Sequence, residues 1–201
     1  MWKGVQGAYK IGTYWSHIEG YEDRAVCPQC LETEDMDHIL LKCRAGPREV
    51  AWNLADNVWA RRNQMELPKT LGMILGCPLA KFETRGRPDK GKGRLYRILS
   101  SETAYLIWKL RNERRIRDED GPAQSEEEVR NRWISAINKR LTLDRILTKE
   151  ARFKSNAIKG KLVKATWANC LKEEENLPAN WPTATGVLVG ILAARPPGCA
   201  G

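Results

Sequence analysis

Cys27, Cys30, His38 and Cys43 place three thiols and one imidazole in a C-x2-C-x7-H-x4-C pattern within 17 residues. Thiolate and imidazole are the ligands zinc prefers, and four of them close a tetrahedron. The two-residue gap of Cys27-Pro28-Gln29-Cys30 lets a tight knuckle aim both sulfurs at one point. One structural Zn2+ ion is therefore the expected cofactor. Four protein ligands fill the coordination sphere, which leaves no position to activate water or polarise a carbonyl, so no catalytic residues are expected. Such an ion supplies on the order of 10 kcal/mol of apparent folding free energy, which a short segment with a thin core needs.

The elements that must position these ligands are constrained by their spacing. His38 and Cys43 stand five residues apart, about 140° around an ideal α-helix, which places Cys43 at or past the end of a short helix starting near Asp37. Lys42 and Arg44 flank Cys43 and are expected to offset the negative charge of a Cys3His site. Two other readings compete. Three buried free cysteines beside an ordinary histidine is the bland one. The other is a thiol oxidoreductase, with Cys27 as the low-pKa thiol of a C-x-x-C pair, although no βαβ pattern surrounds it. His17, the only other histidine, carries no triad partner pattern and reads as an ordinary side chain.

From Pro47 onward the chain reads helical. Val50, Ala51, Leu54, Ala55, Val58 and Trp59 recur at helical spacing over 47–63, with Pro47 suited to the first turn. A segment of at most two turns, 71–75, stops at Gly76-Cys77-Pro78. Residues 81–93, rich in glycine and basic side chains, read as a loop. A long helix is then expected from near Arg94, its stripe running from Leu95 through Leu106, Ile107 and Leu110 to Ile116 before Gly121-Pro122. Ser125 and Glu128 form a capping-box pattern ahead of the stripe Val129, Trp133, Ile137 and Leu141, which continues or kinks toward Leu147. A further helix is expected from Lys161 until Leu177-Pro178. Beyond it the chain reads as a tail with one short strand or docked segment, its apolar run at 186–194 followed by Pro196-Pro197. The fold class is mainly α: a small Cys3His zinc-binding module over 1–45, an irregular helical domain over 46–176, and an extended C-terminal tail over 177–201.

Composition narrows the function. The 201 residues carry 34 Lys and Arg against 25 Asp and Glu, a net charge of +9, with a pI near 9.4. That balance favours a polyanionic partner, RNA or DNA. Two histidines leave little room for multi-histidine metalloenzyme sites or Ser/His catalysis. No apolar segment reaches bilayer length and no signal-peptide core follows Met1, so no membrane partner is expected and the chain reads as soluble and intracellular, with a nuclear location compatible.

Three positive stretches offer phosphate contacts. In 81–97 the candidates are Arg85, Arg87, Lys90, Lys92 and Arg94; in 111–117 they are Arg114 and Arg115; the third stretch spans 149–164. Such clusters predict steep salt dependence rather than base specificity. The alternative for 111–117 is a solvated face paired with Glu113, Asp118 and Glu119. Trp59, Trp108, Trp133 and Trp167 fall on apolar stripes and are assigned to the core, whereas Tyr14 and Trp15 are candidates for stacking on bases.

The spacing of Cys27, Cys30, His38 and Cys43, the acidic Glu32-Thr33-Glu34 before the histidine, Ile39-Leu40-Leu41 after it, and Tyr9-Lys10-Ile11-Gly12-Thr13-Tyr14-Trp15 upstream together resemble the reverse-transcriptase zinc-binding domain. That domain lies at the C-terminal end of non-LTR (LINE-type) retrotransposon polyproteins. The resemblance covers roughly residues 8–45; the helical remainder looks like the tail accompanying the module in fungal retroelement-derived proteins. It implies a non-catalytic, nucleic-acid-binding accessory region, with other modules of the parent polyprotein as further partners. No adjacent Asp-Asp pair for polymerase metals and no room for an RNase H core is seen here, so the family's catalysis is not expected in this chain. A zinc-stabilised protein-interaction scaffold is the alternative from a different class.

Overall fold

The computed structural model describes residues 4, 6–117 and 124–191. Among the described residues six α-helices and one small hairpin surround one main hydrophobic core, with a small second cluster at the cysteines, so the fold is mainly α as expected. Helix α1, Gly46–Asn63, starts with Pro47 in its first turn and buries Ala51, Trp52, Leu54, Ala55, Val58 and Trp59. Pro47 has no N–H to leave unsatisfied there, and Gln64 ends the helix in the left-handed region at φ 53°. Helix α2, Leu71–Leu75, is capped by the Thr70 hydroxyl, which accepts from the Met73 N–H.

Residues 81–93 are not the loop the composition suggests. Strands β1, Glu83–Thr84, and β2, Arg87–Pro88, pair antiparallel around Arg85-Gly86. Both turn residues have positive φ, 52° and 71°, as a two-residue hairpin of the primed type requires. Helix α3 then runs Lys90–Asn112, one turn earlier than expected, capped by the Asp89 carboxylate accepting from the Lys92 N–H at 2.7 Å. Gly91, which reads as a helix breaker, is selected instead by packing. A Cβ there would stand 2.3 Å from the Ala165 carbonyl oxygen, so only glycine lets the two backbones approach this closely.

Helix α3 is central, packing against α1, against α4, Glu126–Ile146, and against α6, Gly160–Trp167. Helix α4 shows the hydroxyl half of the expected capping box, with the Ser125 hydroxyl accepting from the Glu128 N–H at 3.1 Å, while the Glu128 carboxylate accepts from Arg132. Its stripe Val129, Trp133, Ile137 and Leu141 is fully buried, and each of the aliphatic members contributes about 1.5–3 kcal/mol. Trp59, Trp133 and Trp167 are likewise fully buried, while Trp108 is half-buried and stacks on Tyr9 at 4.3 Å. A short helix α5, Glu150–Phe153, links α4 to α6.

Helix α6 ends ten residues before Leu177, because Asn169 adopts a left-handed φ of 62° and the Glu174 carboxylate captures the freed N–H groups of Asn169 and Leu171. Cys170 and Leu171 then turn inward, and Leu171 pairs with Val189 in an isolated bridge. Val187 and Val189 are buried, so the described part of the tail, to residue 191, is docked on the helices. The core is continuous across both expected boundaries, since Ile39, Leu40, Val187 and Val189 belong to the same cluster as the helices. The side chain of Ile116, the break at Gly121-Pro122, and residues 192–201 with Pro196-Pro197 lie outside the described residues and side chains. Among the described residues no helix is long and apolar enough to cross a membrane.

Candidate metal centre

The knuckle is built before any ligand is considered. Val26 and Thr33 form an antiparallel bridge, the Cys27 N–H donates to the Glu32 carbonyl at 2.8 Å, and the Leu31 N–H donates back to the Cys27 carbonyl at 2.8 Å. Leu31 closes this turn at a positive φ of 58°. Gly12 braces it from the N-terminal side: with φ 51° and a hypothetical Cβ only 2.0 Å from the Glu34 carbonyl oxygen, no other residue fits. The second half of the site is a π-turn, His38–Lys42, in which the Cys43 N–H donates to the His38 carbonyl at 2.6 Å. An i→i+5 closure widens the turn so that Cys43 returns above His38. Cys43, expected at or past the helix end, is the first residue past this turn, and what brings it round to the histidine is the π geometry. The Arg48 guanidinium fixes Cys43 further by donating to its carbonyl at 2.7 Å.

Cys27, Cys30, His38 and Cys43 converge, with their ligand atoms all within 4.8 Å of one another. Cys27, His38 and Cys43 are buried and Cys30 is half-buried. The sulfur of Cys43 stands 3.8 Å from that of Cys27 and 3.9 Å from that of Cys30. These separations are far beyond a disulfide bond. They match the edge of a tetrahedron with metal–sulfur bonds of about 2.3 Å, which is about 3.8 Å.

The histidine completes the argument. Its Nδ1 lies 3.2 Å from a carboxylate oxygen of Glu32, while its Nε2 is buried with no hydrogen-bond partner among the described residues. A carboxylate on Nδ1 holds the proton there and leaves the Nε2 lone pair free, the arrangement of metal-ligating imidazoles. A buried polar nitrogen without a partner is costly, and a metal ion satisfies it.

The electrostatics point the same way. Burial, with the charge of Cys27 adding to it, pushes the Cys43 thiol up to about 11. Burial also opposes ionisation of Cys30, but the Arg44 N–H, 3.2 Å from its sulfur, and the two neighbouring thiols hold it below its usual value. Burial resists ionisation of Cys43 while the Arg44 N–H and the neighbouring thiols favour that of Cys30, and a cation between the sulfurs would favour their thiolate forms. Lys42 and Arg44 are the cations expected to offset the site's negative charge. Lys42 pairs with Asp37 at 2.6 Å, and Arg44 contributes its backbone N–H. For the C-x-x-C redox reading the burial is unfavourable: Cys27, the thiol that would attack a partner's disulfide, is fully buried.

The site's own hydrophobic cluster consists of Cys27, Cys43 and Ala45, with Cys30 packed against it. The segment is tied to the helices by specific contacts. Ile39 and Leu40 enter the main core, the Trp52 indole donates to the Leu40 carbonyl at 2.7 Å, and the Arg111 guanidinium grips the buried Glu34 carboxylate through two nitrogens.

The predicted nucleic-acid contacts divide into two groups. Arg115 is withdrawn from solvent: it is buried, and donates to the carbonyls of Asp23 and Val26 at 3.1 and 3.2 Å, so it holds the metal segment to the end of α3. Arg94 is likewise committed, in a bidentate pair with fully buried Asp144, which also accepts from the Trp167 indole. Arg114 is half-buried, in a small hollow that also contains Cys43. Lys92 lies over the rings of Trp59 and Phe82 at 5.7 and 5.6 Å. Arg85, Arg87 and Lys90 are exposed and have no ion-pair partner among the described residues. Tyr14 is 43% exposed and meets Trp15 edge-on at 5.1 Å; Trp15 is half-buried, covered on one side by Arg24 at 5.4 Å.

Sequence reasoning missed Glu32 as the partner of His38 and the Glu34–Arg111 latch. Both glutamates were visible only as an acidic run before the histidine, with nothing to indicate that one faces the ligand and the other the core. In comparisons with protein-family models, curated proteins and solved structures, nothing matches this chain.

Proposed function

We propose that Cys27, Cys30, His38 and Cys43 hold one structural zinc ion, and that the protein so clamped is a non-catalytic RNA- or DNA-binding accessory region of a retrotransposon-derived reverse transcriptase polyprotein. Zinc is favoured over other metals by the donor set, three thiolates and an imidazole at tetrahedral sulfur spacing. Filled by four protein ligands, the ion would fix the fold and leave chemistry to other modules. The motif spacing of residues 8–45 supports the retroelement assignment, and an intracellular, nuclear setting accords with it.

The observation that carries nucleic-acid binding is the set of exposed, unpaired cations on the hairpin and the start of α3, Arg85, Arg87 and Lys90, on a chain of net charge +9. Tyr14 offers an exposed ring for stacking beside the metal segment. Binding of fluorescent oligonucleotides to the zinc-loaded protein between 50 and 200 mM salt, about the range over which phosphate contacts are most telling, tests this. Affinity falling steeply with salt supports it. Absence of binding at the lowest salt, or affinity that stays flat, overturns it in favour of the interaction-scaffold reading.

A further inference from the structure

Two of the three basic stretches, separated by more than fifty residues in sequence, meet on one face. A hollow of about 450 Å³ is lined by Lys81, Lys90 and Arg97, and a second of about 440 Å³ by Arg87, Lys90, Lys159 and Lys161. The two share Pro88, Asp89, Lys90 and Leu162, so they adjoin as one trough between the hairpin, the start of α3 and the start of α6. All six cations are exposed, and none has an ion-pair partner among the described residues.

Of the two carboxylates on the lining, the fold pairs Asp89 with its own partners. Asp89 turns to the Arg62 guanidinium, the Thr84 hydroxyl and the Lys92 N–H, and Arg94 is matched by buried Asp144. Glu83 alone remains as an exposed carboxylate on the lining. Six like charges around one concavity repel each other in the free protein, and a polyanion relieves that repulsion. The walls between the charges are apolar, with Leu79 83% exposed and Pro88, Phe82 and Leu162 beside it. Unpaired bases present flat apolar faces to such walls while their phosphates reach the cations; in a duplex those faces are stacked inside and only base edges reach the grooves.

Resting on the nucleic-acid reading above, we propose that this trough is the principal binding track and that its ligand is single-stranded nucleic acid, with Lys159 and Lys161 as contacts supplied by α6. The test uses the zinc-loaded full chain and measures anisotropy of a labelled mixed-sequence single strand of about 20 nucleotides, its duplex, and poly-glutamate of equal length as competitor. Two charge-matched variants are compared: K159E/K161E in the trough, and K109E/K139E in the separate groove between α3 and α4. The trough variant is expected to bind the single strand at least tenfold more weakly, with the log–log salt slope shallower by about 1.4, since each phosphate contact contributes about 0.7. The control is expected to stay within about threefold of wild type. Equal losses in both variants, no loss in K159E/K161E, tighter binding of the duplex, or equal displacement by poly-glutamate would overturn the trough while leaving wild-type nucleic-acid binding standing. Failure of the wild-type protein to bind any oligonucleotide would overturn the underlying reading and the trough with it.

Discussion

His38 is held from both sides of its ring, by Glu32 at Nδ1 and by the thiol cluster toward Nε2. Removing the carboxylate frees the ring to rotate and lowers the basicity of the ligating nitrogen. Glu32→Ala is therefore expected to weaken metal binding by about 10- to 100-fold in a chelator competition, and Glu32→Gln, which keeps an acceptor oxygen, by less. Asp89 acts at the same scale at the opposite end of α3. Burial opposes its charge, but the Lys92 N–H, the Thr84 hydroxyl and the Arg62 guanidinium outweigh it and hold its carboxyl below the usual range. A depressed folded pKa contributes stability that is present above the unfolded value, near 3.9, and is lost as pH falls through the folded value. Asp89→Asn is expected to cost about 1.5–3 kcal/mol at pH 7 in urea unfolding, with the gap to wild type closing below about pH 4.

At the level of elements, the helices were legible because their periodicity is strong. The first helix, α2 and the cap and stripe of α4 lie within a residue of the sequence expectation. What was not legible depended on distant partners. Gly91 and Gly93 resemble loop residues until α6 is in place, when the Ala165 carbonyl oxygen leaves no room for a side chain at Gly91. The end of α6 depends on Glu174 reaching back to two N–H groups, a contact without a periodic signature. The convergence of Cys27, Cys30, His38 and Cys43 was legible from type and spacing alone, but the π-turn aligning His38 with Cys43 was not, since it shares its local sequence character with an α-helix. Gly91→Ala separates propensity from packing. Helix propensity alone would stabilise α3 by about 1 kcal/mol, whereas the clash with a backbone oxygen predicts a loss of about 1–3 kcal/mol in denaturant melts.

Across the whole molecule, the basic stretches divide between internal contacts and exposed surface. Of the three basic stretches, that at 111–117 is turned inward in part, with Arg111 and Arg115 binding the metal segment to α3. The other two contribute to the exposed trough. The metal segment shares the main core through Ile39 and Leu40, yet the cluster nearest its ligands holds only cysteines and one alanine. Apolar burial around the four side chains is slight, so the proposed ion is expected to contribute a large share of the local stability. Elemental analysis of the purified chain, paired with thermal unfolding before and after chelation and with Cys43→Ser, tests this most directly. The account predicts about one zinc per chain, and loss of both the zinc and the cooperative transition of the first 45 residues on chelation or in the variant. A chain that purifies without bound metal and keeps an unchanged transition in excess chelator would contradict it.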